Sequence, residues 1–389
     1  MVTVTTADNA LKSFYLDAVT ESLNMKTNPF LARIQHTTAD VVGKDIKKTV
    51  KVGYNGGIGA GSETGDLPTA TASDYVQFTS TLKNLYGTIE ISDKALRASA
   101  NNEGAFVNLL NDEMQSMIKS ASFNFGRMLF GDGSGAVSVV TDIPQTNKLV
   151  LESVNGIVEG MRLDFYTPLG ELKEMCEGRL VSHVDRGRNM ITISGNEINN
   201  TVLAIGGNVY IHGSKDQEIT GIEALFTDSN TLYGVDKTKS VMSAYKVEEV
   251  GDITENIIQK AIDEIEKASG SKINYIVCSW GVRRALMQYC RENDIPLPAI
   301  EVDGATALSF YGIPVVTDRF CPAGTMYLLN TDDFKLYQLC DWQWLEGEDG
   351  KILKQVPGKP VYTATLVKYA ELMCERPCGQ GKLSGITEA

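Results

Sequence analysis

Met128-Leu129-Phe130-Gly131-Asp132-Gly133-Ser134-Gly135 ends a long amphipathic run, and Gly221-Ile222-Glu223 reads as the other half of the same junction, split by an insertion. Ahead of the junction, Phe106, Leu110, Met114, Met117, Ala121, Phe125 and Met128 step by three and four, which places them on one face of a helix. The spacing predicts a helix over 104–130 with that face buried, stopped by the glycines of 131–135. Between the two halves of the junction lie five short β-rich runs, at 149–154, 161–166, 179–185, 190–194 and 208–211. So many short strands in so little chain predict a small barrel or sandwich.

Upstream, the chain reads as an extended arm with a short amphipathic helix over 11–23, ended by Asn28-Pro29. Over 46–54 the sequence alternates: Ile46, Val50, Val52 and Tyr54 share one face, while Lys47, Thr49 and Lys51 share the other. A Gly- and Ser-rich stretch over 53–66 follows, and 75–82 returns with Val76, Phe78 and Leu82 on one face. The pair predicts a hairpin too long to fold wholly over its own body. Ser92 and Asp93 are suited to cap a short helix before the long one.

Downstream, Ile257, Ile258, Ala261, Ile262 and Ile265 predict a helix over 254–269, then an apolar strand over 273–278 and a helix over 280–293. Tyr311-Gly312-Ile313-Pro314-Val315-Val316 is a turn entering a strand, 326–329 and 334–339 read as a hairpin, and 361–373 as a long strand. The mixture fits an α+β fold better than a doubly wound sheet.

Composition narrows the function. The chain has 389 residues, 43% of them hydrophobic, enough for a sizeable core. Its net charge of −13 argues against gripping nucleic acid as a main role, because phosphate contacts need concentrated Lys and Arg. The charge is uneven, however: Lys12, Lys26, Arg33, Lys44, Lys47, Lys48 and Lys51 leave residues 1–52 net positive. That segment is either a solvated strand edge or an arm that docks on a neighbour's acidic surface. Seven scattered cysteines without a CxxC pair suit a reducing compartment. A signal peptide and an apolar run of ~20 residues are both absent from the sequence, so no membrane association is expected.

Catalytic patterns do not emerge. Gly56-Gly57-Ile58-Gly59-Ala60-Gly61 fails the GxGxxG spacing and lies between strands, which suits a loop tip better than a phosphate cradle. Gly131–Gly135 is not GxSxG, since Asp132 stands two residues before Ser134. His36, His183 and His212 are far apart, and Cys374 and Cys378 would need distant ligands to hold a metal. No catalytic, metal or cofactor site is expected, and the chain does not read as an enzyme.

The order of parts resembles the major capsid proteins of tailed bacteriophages with the Hong Kong-type fold. The resemblance rests on Phe130 to Gly135 rejoining at Gly221-Ile222, on the block 273–286 with Trp280, and on 312–317 followed by Ala323-Gly324-Thr325 and 326–329. It implies an N-terminal arm at 1–43, an extended loop at 44–87, the spine-helix part of a peripheral domain at 88–135, an inserted β-rich domain at 136–219, an axial domain at 220–339, and a return to the peripheral domain at 340–389. Lys47, Val50, Lys51, Val52, Tyr54, Phe78 and Leu82 of the loop would then contact a neighbouring subunit. Phe106, Leu110, Met114, Met117, Ala121 and Phe125 would form the spine-helix core.

The resemblance further implies pentamers and hexamers closing into an icosahedral shell around double-stranded DNA, bound without sequence specificity. A separate scaffolding protein, a portal protein and potentially a decoration protein would be partners, with assembly in the bacterial host cytoplasm and residence in the virion capsid. Some members weld their shells by a Lys to Asn isopeptide bond, yet 53–68 contains no lysine and no asparagine follows Asn330, so a noncovalent shell is expected. No helical scaffolding segment of the kind some members carry is read ahead of the arm, so either a separate scaffolding protein or a segment already removed is expected, with Met1 favouring the former. Competing readings are an encapsulin-like bacterial shell protein, a β-rich carbohydrate-binding surface protein and an α+β enzyme.

Overall fold

The spine helix runs Glu103–Leu129 and stops where the glycines begin. Its last turn tightens, with Phe130 and Gly131 amides donating to the carbonyls of Arg127 (3.1 Å) and Met128 (3.0 Å). This is a computed structural model, and it describes residues 28–53, 55–66, 68–95, 103–296, 298–302, 305–347 and 350–389. The helix expected over 11–23, Tyr54, and the side chains of Phe106, Leu110 and Met114 lie outside the described residues.

The two halves of the junction do meet. A Cβ on Gly221 would collide with the carbonyl oxygens of Met128, Leu129 and Gly131, so only glycine permits this approach of main chain to helix end. Gly133, at φ +90°, lies against Thr220, and the Asp216 amide donates to the Ser134 carbonyl at 2.7 Å. Beside them Arg127 and Glu218 form a two-pronged ion pair (2.9 and 2.5 Å), with the two residues 8% and 3% exposed. Removing one member of such a buried pair costs ~3–5 kcal/mol, because the other charge is left uncompensated.

The segment between the halves closes into a six-stranded barrel. Met190–Ile193 pairs with Lys148–Leu151, then follow Ala136–Gln145, Asn208–Ile211, Arg162–Phe165 and Arg179–Asp185, which returns to Met190–Ile193. Five strands were expected; the sixth, Ala136–Gln145, shifts register at Val140/Asp142 and Asp142/Gln145, which breaks the alternation that would have revealed it. Val140, Leu149, Leu163, Phe165, Ile191 and Val209 fill the interior at 0% exposure, and closure leaves no open sheet edge.

The chain divides into two compact units, and the boundary falls inside two long strands, Phe334–Trp344 and Val361–Cys374. The first unit comprises Met1–Ala32, Lys83–Ala224 and Cys340–Ala370. In it Lys83–Ser92 pairs antiparallel with the long strand from Val361↔Ser92 to Ala370↔Lys83. Its Leu85, Ile89 and Ile91 are buried while Tyr86, Thr88 and Glu90 face out. Phe125 of the spine helix, 1% exposed, packs edge-on against Trp342 with ring centres 6.4 Å apart. Beneath them lies Lys368, fully buried, its Nζ 2.6 Å from Asp341 and 5.6 and 5.8 Å from the rings of Phe125 and Trp342. Burial lowers the Lys368 pKa against the upward pull of Asp341.

The second unit comprises Arg33–Leu82, Leu225–Leu339 and Glu371–Ala389. Its seven-stranded sheet has Tyr275–Cys278 near the middle, parallel to Ile313–Thr317 and antiparallel to Met326–Leu329. The helix Glu255–Ser269 begins at Thr254, whose hydroxyl accepts from the Ile257 amide, and ends at Gly270 in the left-handed region. Ser279 caps Trp280–Glu292 in the same way. Ile258, Ala261, Ile265, Val282 and Leu286 of the two helices share one buried cluster with Ile276, Val315 and Leu328 of the sheet.

One local expectation is corrected. Met326–Leu329 and Phe334–Trp344 are not a hairpin: the single turn Thr331–Asp333 sends the chain into a different sheet, where Lys335–Tyr337 pairs in parallel with Gln35–Thr37. Pro29 opens a short helix, Pro29–Arg33, because proline suits the first helical position as well as it ends a preceding segment.

Gly221→Ala should destabilise the protein by ~1–3 kcal/mol through the forced separation of helix end and returning chain, while Gly61→Ala in the hairpin tip should be nearly neutral. Urea unfolding of the two variants checks this; equal midpoints would mean that the junction is not tightly packed.

Candidate functional site

The hairpin is the part of this chain that its sequence could not seat on the body. Its strands, Asp45–Lys51 and Tyr75–Thr81, pair rung by rung from Asp45↔Thr81 to Lys51↔Tyr75. Beyond the last rung the Val52 and Gly53 amides both donate to the Asp74 carbonyl (2.9 and 3.2 Å). From there the described residues of 55–74 form no strand, and Ile58 is 90% exposed. The returning strand ends at Thr81 and Lys83 opens the next one, so the hairpin proper is narrower than the expected 44–87.

Alternation along Asp45–Lys51 is as read from the sequence: Ile46 is fully buried and Val50 half-buried, while Lys47, Thr49 and Lys51 are exposed. Val50, Val52 and Gly53, with Lys48 and Lys51, line a cleft of about 460 Å³ whose other wall carries Asp333, Glu375 and Arg376. Phe78 and Leu82 are a different matter. Expected to meet a neighbouring subunit, they are 0% and 8% exposed within their own chain. Such side chains have no apolar surface left to offer a partner.

The cover of Phe78 comes from a turn between two two-residue strands, Leu232-Tyr233-Gly234-Val235, that sequence reading passed over. The Tyr233 ring lies 5.9 Å from that of Phe78, and its carbonyl accepts from the Thr79 amide at 2.9 Å. Its hydroxyl accepts from the buried Cys374 amide at 3.2 Å. Tyr233 adopts φ +52°, uncommon for a bulky residue, and its burial raises the phenol pKa well above the usual value. The Tyr233-Gly234 dipeptide, a turn signal between short apolar pairs, was the only hint available in sequence.

A charged cluster braces the same root. Lys48 Nζ lies 2.7 Å from Asp40 and 3.7 Å from Glu375; Glu375 also meets Lys335 at 3.0 Å and accepts from the Tyr337 hydroxyl at 2.6 Å. The hydrogen bond to Asp40 raises the Lys48 pKa. Burial pushes the Glu375 carboxyl up, but bonds from Tyr337 and Lys335 and the nearby positive charges outweigh it and leave the pKa low.

On the spine helix, Phe125 is buried, while Met117 and Ala121 are half-buried. Both line an open cleft of about 670 Å³ with Gly87, Phe125, Trp342 and the barrel exit at His212. His212 itself contacts Asp164 at 2.8 Å, a buried carboxylate that also accepts from the Gly178 and Gly213 amides. His183 contacts Glu159 at 2.9 Å. Among the described residues the seven cysteines are free, and no three His, Cys, Asp or Glu side chains converge as a metal site. No described helix is long and apolar enough to cross a membrane.

No protein-family model matches the chain, and neither does any curated protein. Solved structures do. A chain of the Cyanophage A-1(L) capsid asymmetric unit superposes at a TM-score of 0.57, with 12% identity over 93% of both chains. A chain of the holo-SrpI encapsulin complex from Synechococcus elongatus PCC 7942 superposes at 0.50, with 10% identity over 93% of this chain and 88% of that one. The protein therefore has the Hong Kong-type capsid fold, shared by phage capsid proteins and encapsulins, with a six-stranded barrel inserted at the end of the spine helix.

Tyr233→Phe leaves the Cys374 amide buried without an acceptor and should cost ~1–3 kcal/mol; Phe78→Ala empties a closed site and should cost ~3–5 kcal/mol. Equilibrium unfolding of both variants measures the strength of the root, and wild-type stability in Tyr233→Phe would remove the clasp.

Proposed function

We propose that the chain is the major capsid protein of a tailed bacteriophage, a non-enzymatic subunit that assembles into pentamers and hexamers of an icosahedral shell around double-stranded DNA. The observation that carries this reading is a hairpin whose Phe78 and Leu82 are buried within its own chain while most of its described tip residues are exposed, Ile58 at 90%. The apolar surface that the described tip exposes, Ile58 above all, gains ~25 cal/mol per Å² when a neighbour covers it, and a closed lattice repeats that gain at every subunit. Lys47, Val50, Lys51 and Val52 remain candidates for that contact.

In this reading residues 1–43 are the arm, 44–87 the extended loop, 88–135 the spine region, 136–219 the insertion, 220–339 the axial domain and 340–389 the peripheral return. The barrel reinforces contacts between subunits or presents a surface for a decoration protein. A scaffolding protein and a portal protein complete assembly in the host cytoplasm. The overall charge of −13 suits a container that binds its DNA weakly and lets it leave. The encapsulin reading shares the fold and differs in contents, a cargo protein instead of DNA.

Negative-stain micrographs of the concentrated protein should show rings of five and six or closed particles, and particles isolated from infected cells should contain double-stranded DNA. Boiled in denaturant, those particles should give a single band near 42.4 kDa, since the tip lacks the lysine for a covalent weld. A monomer at every concentration would contradict the shell reading, a protein cargo would favour the encapsulin, and a ladder of linked oligomers would contradict the noncovalent one.

A further inference from the structure

The sequence contains two Asn-Gly pairs, Asn55-Gly56 and Asn155-Gly156, and the structure places them in opposite environments. In any Asn-Gly pair the glycine amide nitrogen can attack the asparagine side-chain carbonyl carbon, because glycine has no side chain to shield that nitrogen. The attack succeeds only where the backbone can rotate to bring the two atoms together.

Asn55 and Gly56 are both exposed in the strand-free tip of the hairpin. The Asn55 Oδ1 accepts a hydrogen bond from the Gly57 amide at 2.8 Å, which polarises the side-chain carbonyl toward attack. Gly56 is not in the left-handed region, and among the described residues a side chain there would meet the exposed Thr71 side chain. Among the described residues no strand ladder holds this backbone.

Asn155-Gly156, in the barrel, is locked. The Ile157 amide donates to the Val154 carbonyl at 3.1 Å across the pair, and both flanking side chains are buried, at 0% and 1% exposure. Arg186 donates to the carbonyls of Val154 and Ile157, each at 3.3 Å. Gly156 also backs directly onto Arg127 and Val137, so the turn cannot rotate without opening the barrel wall.

We propose that Asn55-Gly56 is a spontaneous deamidation site at the hairpin tip. The Gly56 nitrogen bonds to the Asn55 side-chain carbon, the bond to Nδ2 breaks, and Nδ2 leaves as ammonia after taking up the proton released by Gly56. Water then opens the cyclic imide at either carbonyl to give aspartate or isoaspartate. The described part of 55–74 carries Glu63, Asp66 and Asp74 and no lysine or arginine, so each conversion adds negative charge to an already acidic tip. Its consequence for assembly rests on the shell reading: an older subunit would present a more acidic, and with isoaspartate a longer, tip to its neighbour.

The experiment is a time course of the purified unassembled protein at mildly alkaline pH, with peptide mapping by mass spectrometry and separation of isoaspartate. Asn55 should convert at least about tenfold faster than Asn155, equivalent to ~1.4 kcal/mol or more of local opening at the barrel turn. In denaturant the two rates should converge, and Gly56→Ala should slow Asn55 about tenfold by shielding the nucleophile. Equal folded rates, or an intact Asn55 when Asn155 has converted, would overturn the proposal. The same time course on assembled particles separates the two ideas: an unchanged Asn55 rate there would count against a covered tip and leave the deamidation site standing.

Discussion

Two stretches of main chain meet at the C-terminal end of the spine helix, and the rest of the fold depends on how closely they do so. The carbonyls of Met128, Leu129 and Gly131 occupy the space that a side chain on residue 221 would need. A glycine there lets the chain leave the helix, build a complete barrel and return to its point of departure. Because the barrel closes on itself, it adds no unpaired edge to the body that hosts it. The buried Arg127–Glu218 pair then fixes the returning chain to the helix, a polar contact that supplies direction where apolar packing would supply only area.

The same economy governs the hairpin, which is divided into a root and a tip by what covers each. At the root, Phe78 is sealed by Tyr233, and Lys48, Asp40, Glu375 and Lys335 brace the strand beside it. At the tip, glycines replace apolar residues and the ladder ends. A protruding arm that were loose throughout would lose much of its contact energy to ordering on assembly. One stiffened at the root alone presents a tip in a defined place at smaller entropic cost.

Periodic segments were legible in the sequence and long-range covers were not. The three-and-four stepping of Ile258, Ala261, Ile262 and Ile265, with Thr254 ahead and Gly270 behind, states a helix and both of its ends. The strand Ala136–Gln145 was missed because its bulges scramble the two-residue period. Alternation around Phe78 and Leu82 announces an apolar face, but not whether the cover comes from the same chain or the next. For Phe78 it comes from Tyr233 of the same chain, held in a backbone conformation that no residue pattern advertises. Lys368 was illegible for a related reason: a lysine in a strand reads as solvent-facing, and only the packed structure shows Asp341, Phe125 and Trp342 gathered around its ammonium.

On the proposed shell reading, capsid fold, inserted barrel and rooted hairpin carry one physical claim, that the chain folds its hairpin root by itself and leaves the tip to a neighbour. Amide hydrogen exchange measured on the free subunit and on assembled particles addresses it directly. Amides of Asp45–Lys51 and Tyr75–Thr81 should be protected in both states, whereas those of 55–74 should exchange fast in the subunit and slow on assembly. A root that exchanges as fast as the tip in the free subunit, or a tip indifferent to assembly, would contradict it.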